Sequence, residues 1–353
     1  MSNTDNNNTS ESDDDDNSSV SSGGFSDAAA GEPDMEEIGS HEFPDFFTER
    51  DGRLFHSHPT AAYPLPADTP EQERMNVQHR ILFEFLGGNY PVNCPVPNVL
   101  AQNPARQRYA LDICTGTGRW VMDMARDFPH VAFRGIDIVP IATRYPLPNV
   151  DFSIHDVNTV SPWAAGTFDL VHARSISMAV TNYPAVLAEC ARLLRADGLF
   201  IAGEWSRMLF TMVAPNPAAP AIPTPVSQQT APFLHTFFAA LHAALTAPPN
   251  PLPASAPLVA PLLAAQPQNF DQITPATSII PLGGWHPQPN LQRIGRAFRN
   301  VFREYMKSVR PLLNAKSGLQ PPVLDQVYTG ARVELRSLPG LVGLYNSVYA
   351  RRL

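Results

Sequence analysis

Two glycines and three carboxylates set the chemistry open to this sequence. The run Leu111-Asp112-Ile113-Cys114-Thr115-Gly116-Thr117-Gly118 reads as a buried strand ending near Asp112 and a tight loop, and a helical pattern follows from Trp120 to Phe128. Gly116 and Gly118 lack Cβ, so the loop backbone can take unusual dihedrals and let a ligand lie against it while helix N–H groups point at that ligand. A second strand runs from Val131 to Ile136, and Asp137 stands at its carboxyl end, 19 residues beyond Gly118. An acid there is placed to accept hydrogen bonds from two ribose hydroxyls. A third strand, Val150 to Ile154, ends at His155 and Asp156. Asp156 is placed either to accept from an adenine amine or to cap its own turn. The chemistry is nucleoside binding.

Two nucleoside cofactors suit this layout, and the next loop position separates them. A dinucleotide fingerprint is G-x-G-x-x-G, but here Val121 holds the third glycine's place. A pyrophosphate is anionic and needs a loop bare of acid, whereas Asp112 lies at the strand end just before the loop. S-adenosylmethionine carries an ammonium and a sulfonium and no phosphate. It is therefore the expected cofactor, with NAD as the lesser alternative.

These motifs and several others resemble the class I S-adenosylmethionine-dependent methyltransferases, most closely the fungal LaeA-like group. The resemblance runs from about Glu42 to Leu353. It is carried by Asp51-Gly-Arg-Leu-Phe-His-Ser-His58, by Tyr63 to Asp68 and Glu71 to His79, and by Gly116 to Ala125. Phe168-Asp-Leu-Val-His-Ala-Arg174, Leu193 to Gly198, Gly283-Gly-Trp-His-Pro287 and Leu291 to Gly295 complete it. It implies an α/β fold: a Rossmann-like sheet, mostly parallel with its final strand antiparallel, N-terminal lid helices and a Pro-rich helical insertion. It assigns Asp156 to the adenine amine and makes Tyr63 and His56 candidates for a lid over the cofactor. Two positions depart from the group, Cys114 and Leu199, where glycine is usual. Cysteine is small, so the turn at Cys114 is expected not to need a positive φ, and no redox role is expected of it.

The elements that must position these residues are legible in outline. The cofactor-binding set is Tyr63, Asp112, Cys114, Gly116, Gly118, Asp137, Ile138, Asp156, Val157 and Arg174. Phe168 to Ala173 is a short apolar run suited to a buried parallel strand. Ligands lie beyond the carboxyl ends of such strands, so Arg174 or Ser175 should line the pocket. His172 and Glu204 are the candidate general bases, by location alone; Glu204 ends a strand from Leu199 and could instead hold Trp205. A helix from Pro70 to Phe85 precedes the core, and an amphipathic helix spans Tyr183 to Leu194. Leu341 to Ala350 suits the final antiparallel strand. No cluster of His, Cys and carboxylate has metal-ligand spacing.

Composition frames the rest. The net charge of −8 hides an uneven distribution, because residues 1 to 49 hold 14 acids and no Lys or Arg. That leaves 25 bases against 19 acids, about +6, in the remainder. The acidic segment 1–41 is too polar to offset its ordering entropy and is expected to be disordered, a solubilising tail rather than a partner-binding one. Residues 42–105 form the lid segment and 106–207 the cofactor-binding core. From Met208 to Gln292 the only charged residue is Asp271, and 15 of the 37 prolines fall between Pro215 and Pro281. This region, 208–285, reads as a cap insertion with a helix from Pro232 to Thr246 and an irregular linker over Pro248 to Pro267. Residues 286–353 supply a helix, from Gln292 to Pro311, and closing strands. That helix has an apolar face and an Arg/Lys face expected to be solvated rather than to bind nucleic acid. Three cysteines, Cys94, Cys114 and Cys190, argue against a disulfide framework. No signal peptide or apolar run of membrane-spanning length appears, so a cytoplasmic or nuclear site without membrane contact is expected.

Three functions fit in decreasing order. The first is methyl transfer by in-line displacement to oxygen, nitrogen or sulfur of a small metabolite or protein, in or regulating secondary metabolism. The second is a cofactor-binding regulator that acts through protein partners without catalysis. The third, a dinucleotide oxidoreductase, is opposed by Val121 and Asp112.

Overall fold

The computed structural model describes residues 38–39, 41–214, 220–249, 251–252 and 256–353, so most of the acidic tail lies outside the described residues. After a 3-10 turn at Phe43–Phe46, a hairpin of β1 (Phe47–Arg50) and β2 (Arg53–His56) leads to α1 (Thr69–Leu86) and the short α2 (Val96–Val99). Next come β3 (Arg108–Ile113), α3 (Arg119–Asp127), β4 (Val131–Asp137), β5 (Val150–Ile154), β6 (Phe168–Arg174), α4 (Tyr183–Leu193) and β7 (Leu194–Val213). The chain continues through β8 (Ile222–Pro225), α5 (Pro232–Thr246), α6 (Val259–Ala264), β9 (Phe270–Pro281), α7 (Pro289–Ser308), α8 (Arg310–Lys316), α9 (Pro321–Ser337) and β10 (Leu341–Arg352).

The main sheet has the order β5-β4-β3-β6-β7-β10-β9, with β8 paired to β7 off that path. Pairings β5–β4, β4–β3, β3–β6 and β6–β7 are parallel, and β10 runs antiparallel to both β7 and β9. The Rossmann-like α/β fold with an antiparallel last strand is thus present. From β3 the chain first builds outward through β4 and β5, then returns to build the other half from β6. The reversal leaves a crevice at the carboxyl ends of β3 and β6, where ligands of such sheets bind.

Side chains alternate across the strands, and each face has its own core. Ala110, Leu170, Leu199 and Ile201 join Trp120, Val121 and Met124 of α3. Leu111, Val171, Ala173, Phe200 and Ala202 join Val186, Leu187, Cys190 and Ala191 of α4. A third core, built mainly from α1, α5, α7, α8 and α9, packs together with residues of β7, β9 and β10.

The region expected as a cap insertion, 208–285, contributes more than a cap. β7 runs on through Val213 and pairs with both β8 and β10, while β9 enters the main sheet at its edge. α5 forms over the expected residues, but Phe237 meets Tyr328 of α9 edge-on, and Glu334 accepts from the amides of Phe233 and Leu234 at 3.0 and 2.8 Å. α5 is therefore largely core. The stretch expected to be irregular holds α6. On α7 the basic face is partly ion-paired, with Arg293 on Glu84 and Lys307 on Glu304.

Candidate functional site

The loop after β3 turns sharply beneath the strand ends. Thr115 N–H donates to the Ile136 carbonyl at 2.8 Å, which ties the loop to β4. Cys114, Gly116 and Gly118 have φ of +53°, +56° and +70°. The expectation that the turn at Cys114 would avoid positive φ is thus wrong. The group's usual glycine answers a real conformational demand, and this chain meets it with a strained cysteine. Burial pushes the Cys114 thiol well above its ordinary pKa, so it is no thiolate. Gly118 opens α3, and a Cβ there would lie 2.5 Å from Cζ of Phe152. Gly118 serves the turn and does not line the cavity.

Asp137 is held by two amides: Gly116 N–H donates to its Oδ2 and Ile138 N–H to its Oδ1, both at 2.8 Å. Burial pushes its pKa up to about 6 against the opposing pull of these amides. It faces a cavity of ≈ 230 Å³ at the crevice. A single water needs only about 10–15 Å³, so this space suits a ligand. Ile138, Asp156, Val157, Tyr63, Cys114, Gly116, Arg174 and Ser175 also line it. Asp156 Oδ1 accepts from the backbone and side-chain nitrogens of Asn158 at 3.0 and 2.9 Å, so it caps its turn while standing in the cavity wall.

Asp112 and His172 do not line the cavity. Asp112 Oδ1 accepts from His172 Nδ1 and Oδ2 from Thr115 Oγ1, both at 2.7 Å. The imidazole stacks on Trp120 with centroids 3.7 Å apart, and burial lowers its pKa. His172 is therefore corrected from candidate base to brace: it alternates onto the α3 side of β6 and does not line the cavity. Asp112, expected beside a cationic ligand, acts on the loop through Thr115.

α1 covers the crevice. A Cβ on Gly116 would lie 3.5 Å from Met75 Sδ, and Thr117 Oγ1 donates to Asn76 Oδ1 at 2.8 Å. Arg174 Nη2 donates to His79 Nδ1 at 2.9 Å, and His79 Nε2 donates to Asp123 at 2.9 Å. Burial and the neighbouring Arg174 push His79 down to about 4, keeping the ring neutral for this relay. His56 lies behind this layer, its Nε2 donating to the Tyr63 carbonyl at 2.9 Å.

Across the cavity Glu204 is buried. Its Oε1 accepts from Ile176 N–H at 2.9 Å, Ser177 N–H at 3.0 Å and the Tyr183 hydroxyl at 3.2 Å. Burial nevertheless pushes its pKa up to about 7. The remaining wall is apolar and includes Met178, Trp205, Met208, Phe238, Phe302 and Tyr305. Sequence reasoning missed Trp205 as a pocket residue, Arg207 and the part played by α7. Arg207 is the last cation before the nearly uncharged stretch, and the apolar face of α7 held Phe298, Phe302 and Tyr305 in plain view.

Residues 110–198 match the model of a methyltransferase domain. The chain is 36% identical over 152 residues to "Secondary metabolism regulator laeA" of Coprinopsis cinerea, a match covering 43% of this chain and 37% of that protein. It is 26% identical to "Methyltransferase pytC" of Aspergillus terreus, covering 80% of this chain and 81% of the relative. Among solved structures, that of the [4+2]-cyclase SpnF shares 14% identity at a TM-score of 0.41, covering 83% of this chain and 97% of the other.

Proposed function

We propose that this chain, which belongs with the class I methyltransferases of the fungal LaeA-like group, binds S-adenosylmethionine at Asp137 and methylates an oxygen, nitrogen or sulfur atom of a small metabolite or protein. The observation that carries the reading is the amide-held carboxylate of Asp137 facing a cavity at the point where strand order reverses, with Asp156 in the same wall. The donor set fits this cofactor better than a dinucleotide. The Gly116 amide is already given to Asp137, and Phe152 fills the space over Gly118 where a pyrophosphate would meet the start of α3.

Asp137 would hold the ribose, Asp156 and Val157 the base, and Tyr63 with Met75 of α1 would cover the nucleoside. Held there, the cofactor would supply an electrophilic methyl on a sulfonium, whose transfer to the acceptor atom would be balanced by departure of a neutral thioether. Positioning of this kind contributes on the order of 7 to 11 kcal/mol. The apolar wall excludes water. Glu204, poised near pH 7 and lining the cavity, is the remaining base for an acceptor proton.

Calorimetric titration with S-adenosylmethionine, beside Asp137→Ala and an NAD control, tests the reading. Saturable binding lost in the variant is expected; no binding to the wild type sinks it. A second reading, a regulator that binds the cofactor and acts through protein partners, is favoured by the strained Cys114 and by relatives named as regulators. Turnover alone separates the two. Among the described residues no helix is long and apolar enough to cross a membrane, and we place the protein in the cytoplasm, the nucleus or both.

A further inference from the structure

The apolar wall of the cavity carries donors without acceptors. Arg207 and Trp205 both line it, and the buried Nε of Arg207 and Nε1 of Trp205 have no hydrogen-bond partner. The other nitrogens of Arg207 donate to neutral carbonyls, Nη1 to Leu252 and Nη2 to Ser177, the latter at 2.7 Å. No carboxylate among the described residues ion-pairs with it. Glu204, on the same strand, turns its Oε1 to the amides of Ile176 and Ser177. Asp271, the one charge between Met208 and Gln292, is bound to Arg351 at 2.6 Å. The Tyr305 hydroxyl, also in this wall, finds only Met178 Sδ at 3.9 Å.

Glu204 attracts the guanidinium without ion-pairing to it, and a buried guanidinium with no ion-paired partner is costly, as buried donors are nearly always paired. Two such donors in one wall, beside a hydroxyl that meets only a thioether, point to an acceptor group that arrives with the ligand. Arg suits an oxyanion in particular, because its unpartnered Nε–H can give a charge-assisted hydrogen bond to a carboxylate or a phenolate.

We infer that the methyl acceptor is a small, apolar, aromatic-sized molecule carrying an anionic oxygen, held by Arg207 and Trp205. The inference rests on reading this cavity as a methyl-transfer site, and it favours a small molecule over a lysine-bearing peptide, whose ammonium Arg207 would repel.

The test is calorimetric titration of the full chain, preloaded with S-adenosylhomocysteine, with 1-naphthoate, 2-naphthoate and 4-nitrophenol, each beside its methyl ester or ether. At about pH 8 these probes are ionised and Arg207 is charged. The expected result is an acid bound about tenfold more tightly than its neutral partner. Arg207→Met should erase that preference. Trp205→Phe keeps an aromatic ring but loses the N–H together with the five-membered ring of the indole, so it should reduce the preference about threefold; it decides the matter if the first variant fails to fold. Equal affinity of acid and neutral partner, no binding by any probe, a preference that survives both substitutions, or binding of a lysine peptide alone would overturn the inference. Loading with S-adenosylhomocysteine is read separately, before any probe is added. Failure there with the acid preference intact in the unloaded protein would sink the cofactor reading and leave the anion site standing.

Discussion

Replacing His172 distinguishes a brace from a base. In His172→Ala the stack on Trp120 is lost, which is worth about 0.5–1.5 kcal/mol. Asp112 Oδ1 also loses its donor, and an orphaned buried acceptor costs about 1–3 kcal/mol. With the cavity left behind, the sum is about 3–5 kcal/mol. His172→Asn can present an amide N–H near the place of Nδ1, so it should recover the Asp112 bond and lose only about 1–2 kcal/mol, mainly the stack. Urea unfolding of the three proteins reads these differences. Because Asp112 holds Thr115 at 2.7 Å, the Ala variant should also bind S-adenosylmethionine about tenfold more weakly, with Asn close to wild type. Two results would refute the reasoning. One is Asn as unstable as Ala. The other is full stability and cofactor affinity in both variants with turnover abolished, which would return His172 to acid–base chemistry.

Four further outcomes follow from the same geometry. Cys114→Gly should raise stability by about 0.5–1 kcal/mol, as relief of a left-handed residue outweighs the backbone entropy of glycine, without loss of cofactor affinity; a lowered Tm would contradict this. Gly118→Ala should cost about 3 kcal/mol in denaturant unfolding, through positive φ and collision with Phe152. The folded-state pKa of Glu204, about 7 against an ordinary 4.5, means that the folded chain binds this proton more tightly than the unfolded one. Its contribution to stability therefore falls as pH rises from about 4.5 to about 7, by on the order of 3 kcal/mol, and Glu204→Gln should gain on wild type across that window in unfolding at stepped pH. A flat difference would count against the buried carboxyl. Asp137, pushed up to about 6, should make S-adenosylmethionine affinity fall as pH drops through that value, and Asp137→Asn should flatten the profile.

The parts legible in the sequence were those where local pattern and tertiary role agree. The glycine loop, Asp137 at the end of β4, β5, α4 and α5 all lie where periodicity and breakers put them. β9 was hidden because its Pro275 and Pro281 argue against a strand, yet it is an edge strand, where proline is tolerated. α9 opens with Pro321 and Pro322, which read as breakers but suit the first helical turn. His172 was misread for want of one step. Alternation along β6 puts it on the face of Leu170, toward α3, packed on Trp120 and outside the cavity lining. The strain at Cys114 was signalled by the glycine usual at that place, against which the small size of cysteine argued, whereas the orphaned donors of Trp205 and Arg207 had no local signal, since each depends on what lies opposite in space.

Violations of ordinary folding rules gather in one place. Of the six non-glycine residues with positive φ among the described residues, Asp51, Asn93 and Asp197 are types that take that conformation readily, and Gln272 lies on edge strand β9. The other two, Cys114 and Ser175, line the cavity. So do Asp137 and Glu204, whose burial raises both pKa values, and Arg207, whose burial lowers its own. Amides of the wall offset part of the cost at Asp137 and Glu204, while the Nε of Arg207 has no acceptor. Two of them would be relieved by a ligand: ribose hydroxyls donating to Asp137, an anionic oxygen accepting from Arg207. Meanwhile α1 is pinned over the same space by polar contacts, Thr117 to Asn76 and Arg174 through His79 to Asp123, so the site is shaped before a ligand arrives. An unrelieved site is costly to keep closed, and strain and unmet polar groups concentrated at one cavity are the physical mark of function there.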